Sequence, residues 1–505
     1  MDYKLQENQV FTAEVTADNV TQQSVDMDFT LPDYCADIEK ILKCILNVRI
    51  FSKNSSAGVL RVDGESKVTL LYTDKGRKAL RCFEQCSPFS VNLNIPEDAG
   101  DSIVDVVVKP EYINCRALTP RRLSVHGAFS LRSRLTERKL LPLYCDCDAS
   151  DLQIKREETA VCEPCIFSQD RFSVSEAATF NMKTKVETIA DTHLSATLTD
   201  YSLSSDRLTI KGELTLRMLY ITDASTGEVD RYVCAFPFTE TLRVNNEECD
   251  VFHINLSIMS YDVTLRSEAL SDNPAVCVEA TLSADTFGFR RKSGEYIADA
   301  YSLSCATEPR FDKMGITTDV LSHTAEFSQK QTLMLGDRNI VKIAHILWST
   351  PELRAEFESD VKLSGKVDVC ILAVDEEGEL LCIDRQVDIS QVLVPESDFT
   401  HMAAMSADLS NLSYRIGDNN DIELGIKINI SALLLRKNTI SQISDIAPVA
   451  EETPFNRKPL TLYFASAGEN VWEISKGYRA SYNSVLEENN LSQQILSADT
   501  MLMIV

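Results

Sequence analysis

Four cysteines in the first third of the chain have the residue type and the pairing of a metal site. Cys145 and Cys147 form one close pair, and Cys162 and Cys165 form a second pair about fifteen residues later. Four thiolates in two such pairs can close a tetrahedral zinc site. The one-residue spacer of the first pair is not a usual zinc-knuckle spacing, so the alternative is four free thiols. The sequence alone does not decide between a zinc site and four free thiols at these positions. We predict no other metal site.

Residue types that carry catalysis do not cluster elsewhere in the sequence. Asp33 and Asp37 have the chemistry of a glycosidase acid pair, but helix capping by Asp33 explains them better. Glycine-rich nucleotide loops and the Gly-x-Ser-x-Gly elbow are absent from the sequence. We therefore predict a protein that is not an enzyme and uses no cofactor. The six histidines are scattered and are expected to be ordinary surface or core residues: His126, His193, His253, His323, His345 and His401.

Composition excludes two classes of partner. The 505 residues carry a formal net charge of −26, which argues against a phosphate-binding surface and hence against nucleic acid. No run of about 18 apolar residues occurs, so we predict no membrane span. The N-terminal residues lack the pattern of a signal peptide, and we expect the protein to stay in the cytoplasm. Most of the fifteen cysteines stand singly, as Cys277 and Cys370 do, and are expected to be free or buried thiols.

Three similar stretches predict three copies of one strand. With Gly64, Gly212 and Gly365 aligned, apolar side chains fall on one parity and charged side chains on the other, as in a half-buried strand. The glycines are about 150 residues apart, a domain length, so the chain is predicted to hold three tandem domains. A glycine on the apolar parity also indicates a close approach of backbone. The three stretches are residues 61–72, 208–220 and 361–373.

The rest of the pattern predicts a mainly β protein. Alternating segments separated by Gly, Asp and Asn turns favour antiparallel sheets packed as a sandwich or open barrel. Parallel sheets would need crossover helices, which the pattern does not provide. One short amphipathic helix is predicted within residues 29–46, beginning at Pro32 and Asp33. Its apolar residues recur at helical spacing: Ile38, Ile41, Leu42 and Ile45.

Polar or acidic stretches divide the chain into domains. The dividing segments are residues 145–165, 306–315 and 447–460, the last with three prolines. The predicted organisation is an N-terminal segment, three β-domains and a small C-terminal domain. The predicted boundaries are 1–22, 23–158, 165–308, 318–446 and 459–505.

The repeated domain resembles the SPOCS domain of bacterial spore coat assembly proteins. The stretch LPDYCADIEKIL at residues 31–42 is similar to the Pro-Asp-Ile opening of that family. The glycine-centred strands end in Leu71-Tyr72 and Leu219-Tyr220, as the family's strands do. The third copy ends instead in Leu372-Ala373, and neither later copy keeps the opening.

The C-terminal residues 462–505 resemble a LysM module. Here the stretch from Gly468 to Val471, GENV, stands where that family has Gly-Asp-Thr-Leu, and Trp472 falls on its first helix. The resemblance implies a βααβ fold with a shallow groove for N-acetylglucosamine chains. It implies these ligand-binding residues: Gly468, Glu469, Asn470, Val471 and Trp472.

SPOCS copies followed by one LysM module are the layout of SipL-like proteins. The resemblance implies a non-enzymatic scaffold or adaptor in spore coat assembly, which binds a coat morphogenetic protein at the forespore surface inside the mother cell. The alternative is a cell-wall accessory protein that binds peptidoglycan through the LysM module. A third alternative, a hydrolase within the β-domains, would require titratable residues from distant segments to meet in space.

Overall fold

Strands make up almost all regular structure in this protein. The computed structural model describes residues 3–76, 78–96, 102–179, 186–204, 206–223, 225–245, 248–266, 275–336, 338–417, 420–449 and 460–505. Repeat 1 consists of β1 (Leu5–Thr30), β2 (Lys40–Ser56), β3 (Val59–Thr73), β4 (Leu80–Asn94), β5 (Ser102–Ala117) and β6 (Arg122–Cys147). Repeat 2 consists of β7 (Leu152–Thr179), β8 (Thr188–Ser204), β9 (Arg207–Asp223), β10 (Glu228–Arg243), β11 (Val251–Arg266) and β12 (Ala275–Ser302).

The third repeat is followed by a small C-terminal module. Repeat 3 consists of β13 (Thr307–Met334), β14 (Ile340–Trp348), β15 (Glu352–Phe357), β16 (Val361–Asp375), β17 (Leu380–Val394), β18 (His401–Ile416) and β19 (Asp421–Pro448). The C-terminal module consists of β20 (Thr461–Ala465), α1 (Val471–Tyr478), α2 (Tyr482–Glu488) and β21 (Thr500–Ile504).

The three repeats share one strand topology. In each, the long first and last strands pair with each other, and the last strand also pairs with the strand before it, giving the sheets β1-β6-β5, β11-β12-β7 and β13-β19-β18. The intervening strands form a second sheet centred on β3, β9 or β16. All strand pairs in the described residues are antiparallel, which confirms a mainly β chain with antiparallel sheets. In repeat 3 the counterpart of β2 and β8 is split into β14 and β15 around Pro351, which cannot donate a ladder hydrogen bond.

Three of the predicted dividing points fall inside long strands. The point after residue 22 lies within β1, the gap at 158–165 lies within β7, and the segment 306–315 lies largely within β13. Polar residues within these long paired strands imitate a linker in the sequence. Residues 450–459 of the last predicted linker lie outside the described residues.

The helix predicted within residues 29–46 is wrong. Residues 33–35 form a turn, and β2 begins at Lys40. The helical spacing has another origin, because both faces of β2 are at least partly covered. Ile41 packs on one apolar cluster, while Leu42 and Ile45 pack on another. A bulge between Ile41 and Lys43 shifts the alternation at this point.

The repeated glycines lie where strands approach closely. A Cβ on Gly212 would come within 2.4 Å of the Phe238 ring and 2.8 Å of the Thr197 carbonyl oxygen. On Gly64 it would come within 2.1 Å of the Arg49 carbonyl oxygen, and Gly365 is equally crowded. Only glycine fits such a position, which confirms that this recurring residue is a structural requirement.

Each repeat has its own core, and all three repeats also meet in shared apolar clusters. In one of these, Leu71 of β3, Leu219 of β9 and Leu372 of β16 lie together with neighbours from the adjacent strands. These leucines occupy the parity that carries charged residues earlier in the same strands. Three further clusters join the long ribbons of all three repeats. The shared clusters make the repeats interdependent.

We predict that Leu219→Ala destabilises the whole β region rather than repeat 2 alone. Leu219 is 1% exposed, and a buried Leu→Ala change costs about 2–5 kcal/mol. Guanidinium unfolding, followed by circular dichroism, measures the loss. The matched control is Val233→Ala on β10, which is 61% exposed and should cost about 0.5 kcal/mol or less. A separate early transition that involves only a third of the signal would contradict the shared core.

Candidate functional site

The four cysteines of the candidate zinc site are not brought together. Cys145 and Cys147 lie on β6, whereas Cys162 and Cys165 lie on β7. Cys147, Cys162 and Cys165 are buried in three different apolar clusters, and the Cys145 thiol donates to the Gln6 carbonyl oxygen at 3.7 Å. Zinc coordination at these thiols is therefore not supported.

One other set of potential metal ligands stands out among the described residues, and it is already oxidised. Cys370, Cys382 and Asp384 offer ligand atoms within 4.8 Å of one another. Cys370 and Cys382 form a disulfide between β16 and β17, so they offer no thiolate. The expectation that Cys370 is a free thiol is wrong, while Cys277 is free and buried as expected.

The carboxylates of Asp33 and Asp37 both lie beside the guanidinium group of Arg121. The Arg121 guanidinium donates to Asp37 at 2.8 Å and lies 3.8 Å from Asp33. Arg121 also donates to the carbonyl oxygens of Leu31, Pro32 and Cys35, which fixes the turn before β2. These carboxylates are engaged in holding a loop, and Asp33 caps no helix.

A cavity of about 2720 Å³ is lined by residues from all three repeats. Its wall carries nine basic and eight acidic side chains, so it is nearly balanced although the chain is strongly acidic. The acidic members are Asp105, Glu111, Asp191, Glu352, Asp368, Asp384, Asp388 and Asp408, and the basic members are Lys43, Lys53, Lys109, Arg132, Arg134, Arg217, Arg354, Lys366 and Arg385. A balanced wall gives no strong field for steering a charged ligand.

Two carboxyl groups in this wall have raised pKa values. Burial, together with the charge of Asp285, raises the pKa of Asp105 to about 6, while Lys53 opposes the shift. Burial raises the pKa of Asp191 to about 6, and the nearby His193 opposes it. Each carboxyl group has its own set of charged neighbours, so the two are separate and do not form an acid–base pair.

Three histidines lie where repeat 2 meets repeat 3. His253 of β11 is 3.0 Å from the Ser322 hydroxyl of β13, and His193 of β8 is 3.5 Å from an oxygen of Asp408 on β18. His345 of β14 lies near Arg231 of β10. Burial lowers the pKa of both His253 and His345 to about 4, so both are neutral at pH 7.

Side-chain hydrogen bonds hold the elements of the C-terminal module together. Asn470 caps α1, its side chain accepting from the Trp472 backbone N–H at 2.9 Å, and Ser481 caps α2. The Asn489 amide donates to the carbonyl oxygens of Val485 and Met503 and accepts from the Met503 N–H at 2.7 Å. These contacts tie α2 to β21 and hold the loop before α1 in place.

This module carries a small groove of about 320 Å³. Two acidic side chains, Glu469 and Glu473, line it, together with Tyr463 and Tyr478, whose ring centroids are 5.7 Å apart. Asn470, Ile474 and Gly477 complete the lining. Such a wall offers aromatic faces for stacking and carboxylate oxygens that accept from hydroxyl or ammonium groups.

Of the five residues predicted to bind ligand, Glu469 and Asn470 line this groove. Gly468 lies next to it, and Val471 is fully buried. Trp472 is 2% exposed and faces repeat 2 instead. Its indole N–H donates to Asp299 of β12 at 2.7 Å, and its ring packs against Tyr301.

Asp299 is the centre of the contact between the module and repeat 2. Its carboxylate accepts from Trp472 and from the Lys476 ammonium group at 2.7 Å, with 14% of the aspartate side chain exposed. The Tyr301 hydroxyl donates to the Ala480 carbonyl oxygen at 2.8 Å, and the Gln153 side chain accepts from the Tyr482 N–H. A bulge between Ile297 and Asp299 breaks the register of β12 here. No local pattern in the sequence predicts this contact, because Asp299 and its partners Trp472 and Lys476 are about 170 residues apart.

The chain is thus a mainly β protein with three topologically equivalent repeats. Residues 37–118, which run from the turn before β2 to the end of β5, match the family model described as SipL, SPOCS domain. Comparison with the curated proteins and with the solved structures finds no match. Neither helix among the described residues is long and apolar enough to cross a membrane.

We predict that Asp299→Ala loosens the C-terminal module. The change leaves the buried indole N–H and the Lys476 ammonium group without their acceptor, which costs about 1–3 kcal/mol. The chain has only two tryptophans, so exposure of Trp472 should produce a visible red shift of the tryptophan fluorescence emission. Asp312→Ala, at an exposed position of β13, is the matched control. An unchanged spectrum and unchanged proteolysis of the module would refute the contact.

We also predict that acid weakens the contact of repeats 2 and 3. The folded pKa of His253 and His345 is about 4 and the ordinary value is 6.5, so between these pH values the unfolded chain binds protons that the folded chain excludes. Their contribution is fully present above pH 6.5 and is lost as the pH falls towards 4. Melting temperatures between pH 7 and 4.5 should fall less steeply for His345→Gln than for the wild type. Equal slopes for His345→Gln and the wild type would overturn this assignment.

Proposed function

We propose that this protein is a non-enzymatic scaffold in spore coat assembly. The observation that carries the proposal is the match of residues 37–118 to the SipL, SPOCS domain model. The topology of that segment recurs twice more, so we extend the SPOCS-like assignment to all three repeats as antiparallel β-sandwich-like domains. On this proposal the protein acts in the mother-cell cytoplasm at the forespore surface.

The C-terminal module is proposed to be a LysM domain that presents a binding groove to a coat morphogenetic protein. Its order of strand, two helices and strand, with β20 paired to β21, supports this assignment. Trp472 and Lys476 hold the module on repeat 2, while the groove at Glu469 and Tyr478 remains accessible. A docked module with an open groove suits an adaptor, because the partner is then held at a fixed place relative to the β-repeats.

The adaptor role predicts that the groove carries the affinity for the partner. Tyr478→Ala removes an aromatic wall residue, and truncation of an aromatic anchor typically reduces affinity by tenfold or more, roughly 1.4 kcal/mol. The measurement is quantitative capture of coat morphogenetic proteins from sporulating cells by the full chain and by the variant. Glu487→Ala, an exposed change on α2 away from the groove, should leave capture unchanged. Equal capture by all three proteins would remove the groove from the proposal.

The second candidate is a cell-wall accessory protein that binds N-acetylglucosamine chains of peptidoglycan. The paired rings of Tyr463 and Tyr478 favour it, since sugar rings stack on aromatic faces. Co-sedimentation with purified wall material separates the two candidates. A wild-type chain that pellets with walls, and a Tyr478→Ala variant that does not, would favour the glycan; failure of both to pellet would leave the protein partner as the ligand.

A further inference from the structure

Two thiols from different sheets of repeat 1 meet inside the protein. Cys44 lies on β2, in the sheet centred on β3, and Cys115 lies on β5, in the sheet of the long ribbon. The backbones of β2 and β5 approach within 8 Å. Both side chains pack in the core of repeat 1, and the Cys44 thiol hydrogen-bonds to the Cys115 sulfur. Two thiols in contact across neighbouring strands are within reach of a disulfide.

The two sulfur atoms differ in the direction of their pKa shifts and in their exposure. The hydrogen bond between the two thiols raises the pKa of Cys44, and burial adds to that shift. The same hydrogen bond lowers the pKa of Cys115 against the opposing effect of burial, so Cys115 is the more readily ionised thiol. Cys44 is 9% exposed, whereas Cys115 is half-buried. Both line the large cavity between the repeats, which gives small molecules a path to them. The more nucleophilic sulfur is therefore also the more accessible one.

We propose that Cys44 and Cys115 are a redox-active dithiol that low-molecular-weight disulfides convert to an intramolecular disulfide. The Cys115 thiolate attacks one sulfur of the small disulfide, forming a mixed disulfide and releasing one small thiolate. Cys44 loses its proton to solvent and attacks the Cys115 sulfur, which releases the second small thiolate and closes the bridge. The two protein thiols are oxidised by two electrons, and the small disulfide is reduced to two thiols.

The bridge would join the two sheets of repeat 1 across the cavity wall. It would close a loop of roughly 70 residues, and long closed loops restrict the unfolded chain strongly. The Cys370–Cys382 bridge in repeat 3 stays within one sheet, so it does not do the same for its repeat. The oxidised form should therefore melt at a higher temperature than the reduced form.

The test uses the full chain and hydroxyethyl disulfide. After incubation, free thiols are blocked with N-ethylmaleimide, and the digest is analysed by mass spectrometry without reduction. In the wild type we expect a peptide that links Cys44 to Cys115, whereas Cys234, a half-buried thiol on β10 beside Tyr232, should carry the hydroxyethylthio adduct. Cys44→Ser should trap the same adduct on Cys115, and Cys115→Ser should leave Cys44 free.

The wild-type result decides the proposal even where a variant folds poorly. An adduct retained on Cys115 of the wild type, or a free Cys115 after Cys234 has been fully modified, would overturn it. Melting of the oxidised wild type gives a second readout. A melting temperature equal to that of the reduced protein, with the bridge present, would overturn the proposed stabilising role.

Discussion

Burial of one apolar patch on the central strand of each repeat is the constraint on which the rest of the structure depends. Leu71, Leu219 and Leu372 lie on the face of β3, β9 and β16 that is otherwise charged, and all three are almost fully buried. Burying each leucine contributes about 1.5–3 kcal/mol, and none of them is covered by its own repeat alone. The repeats must therefore assemble around a common centre. The long ribbons of the three repeats also meet one another, in apolar clusters of their own.

This arrangement separates two kinds of surface. Where the repeats face one another, the wall of the large cavity combines both charge signs, and histidines with lowered pKa values stay neutral between repeats 2 and 3. Buried titratable groups at such a contact tie its strength to pH, because the charged form must be desolvated. The exposed residues of the ribbons are mostly polar, with single apolar exceptions such as Val20 and Phe311.

The C-terminal module is positioned mainly by one largely buried carboxylate, that of Asp299. Asp299 accepts from an indole N–H and an ammonium group at once, and Tyr301 packs its ring against Trp472. A charge held in this way stays favourable only while both donors are in place, so the contact is geometrically demanding. It leaves the groove between β20 and α1 open on another side of the module. The module is thus oriented by one face and available for binding by another.

The sequence by itself determined the strand class, the antiparallel sheets, the three copies and the close-packed glycines. All of these follow from local rules, since side-chain alternation and the absence of a Cβ act within one strand and its immediate neighbours. The helix predicted within residues 29–46 is wrong, because a strand that packs on both faces and is interrupted by a bulge imitates helical spacing. Only the tertiary structure decided that the four candidate zinc ligands lie in separate clusters, that Trp472 turns to Asp299, and that Cys44 meets Cys115. Each of these depends on residues far apart in the chain, and their contacts are set by how the repeats pack rather than by any local pattern.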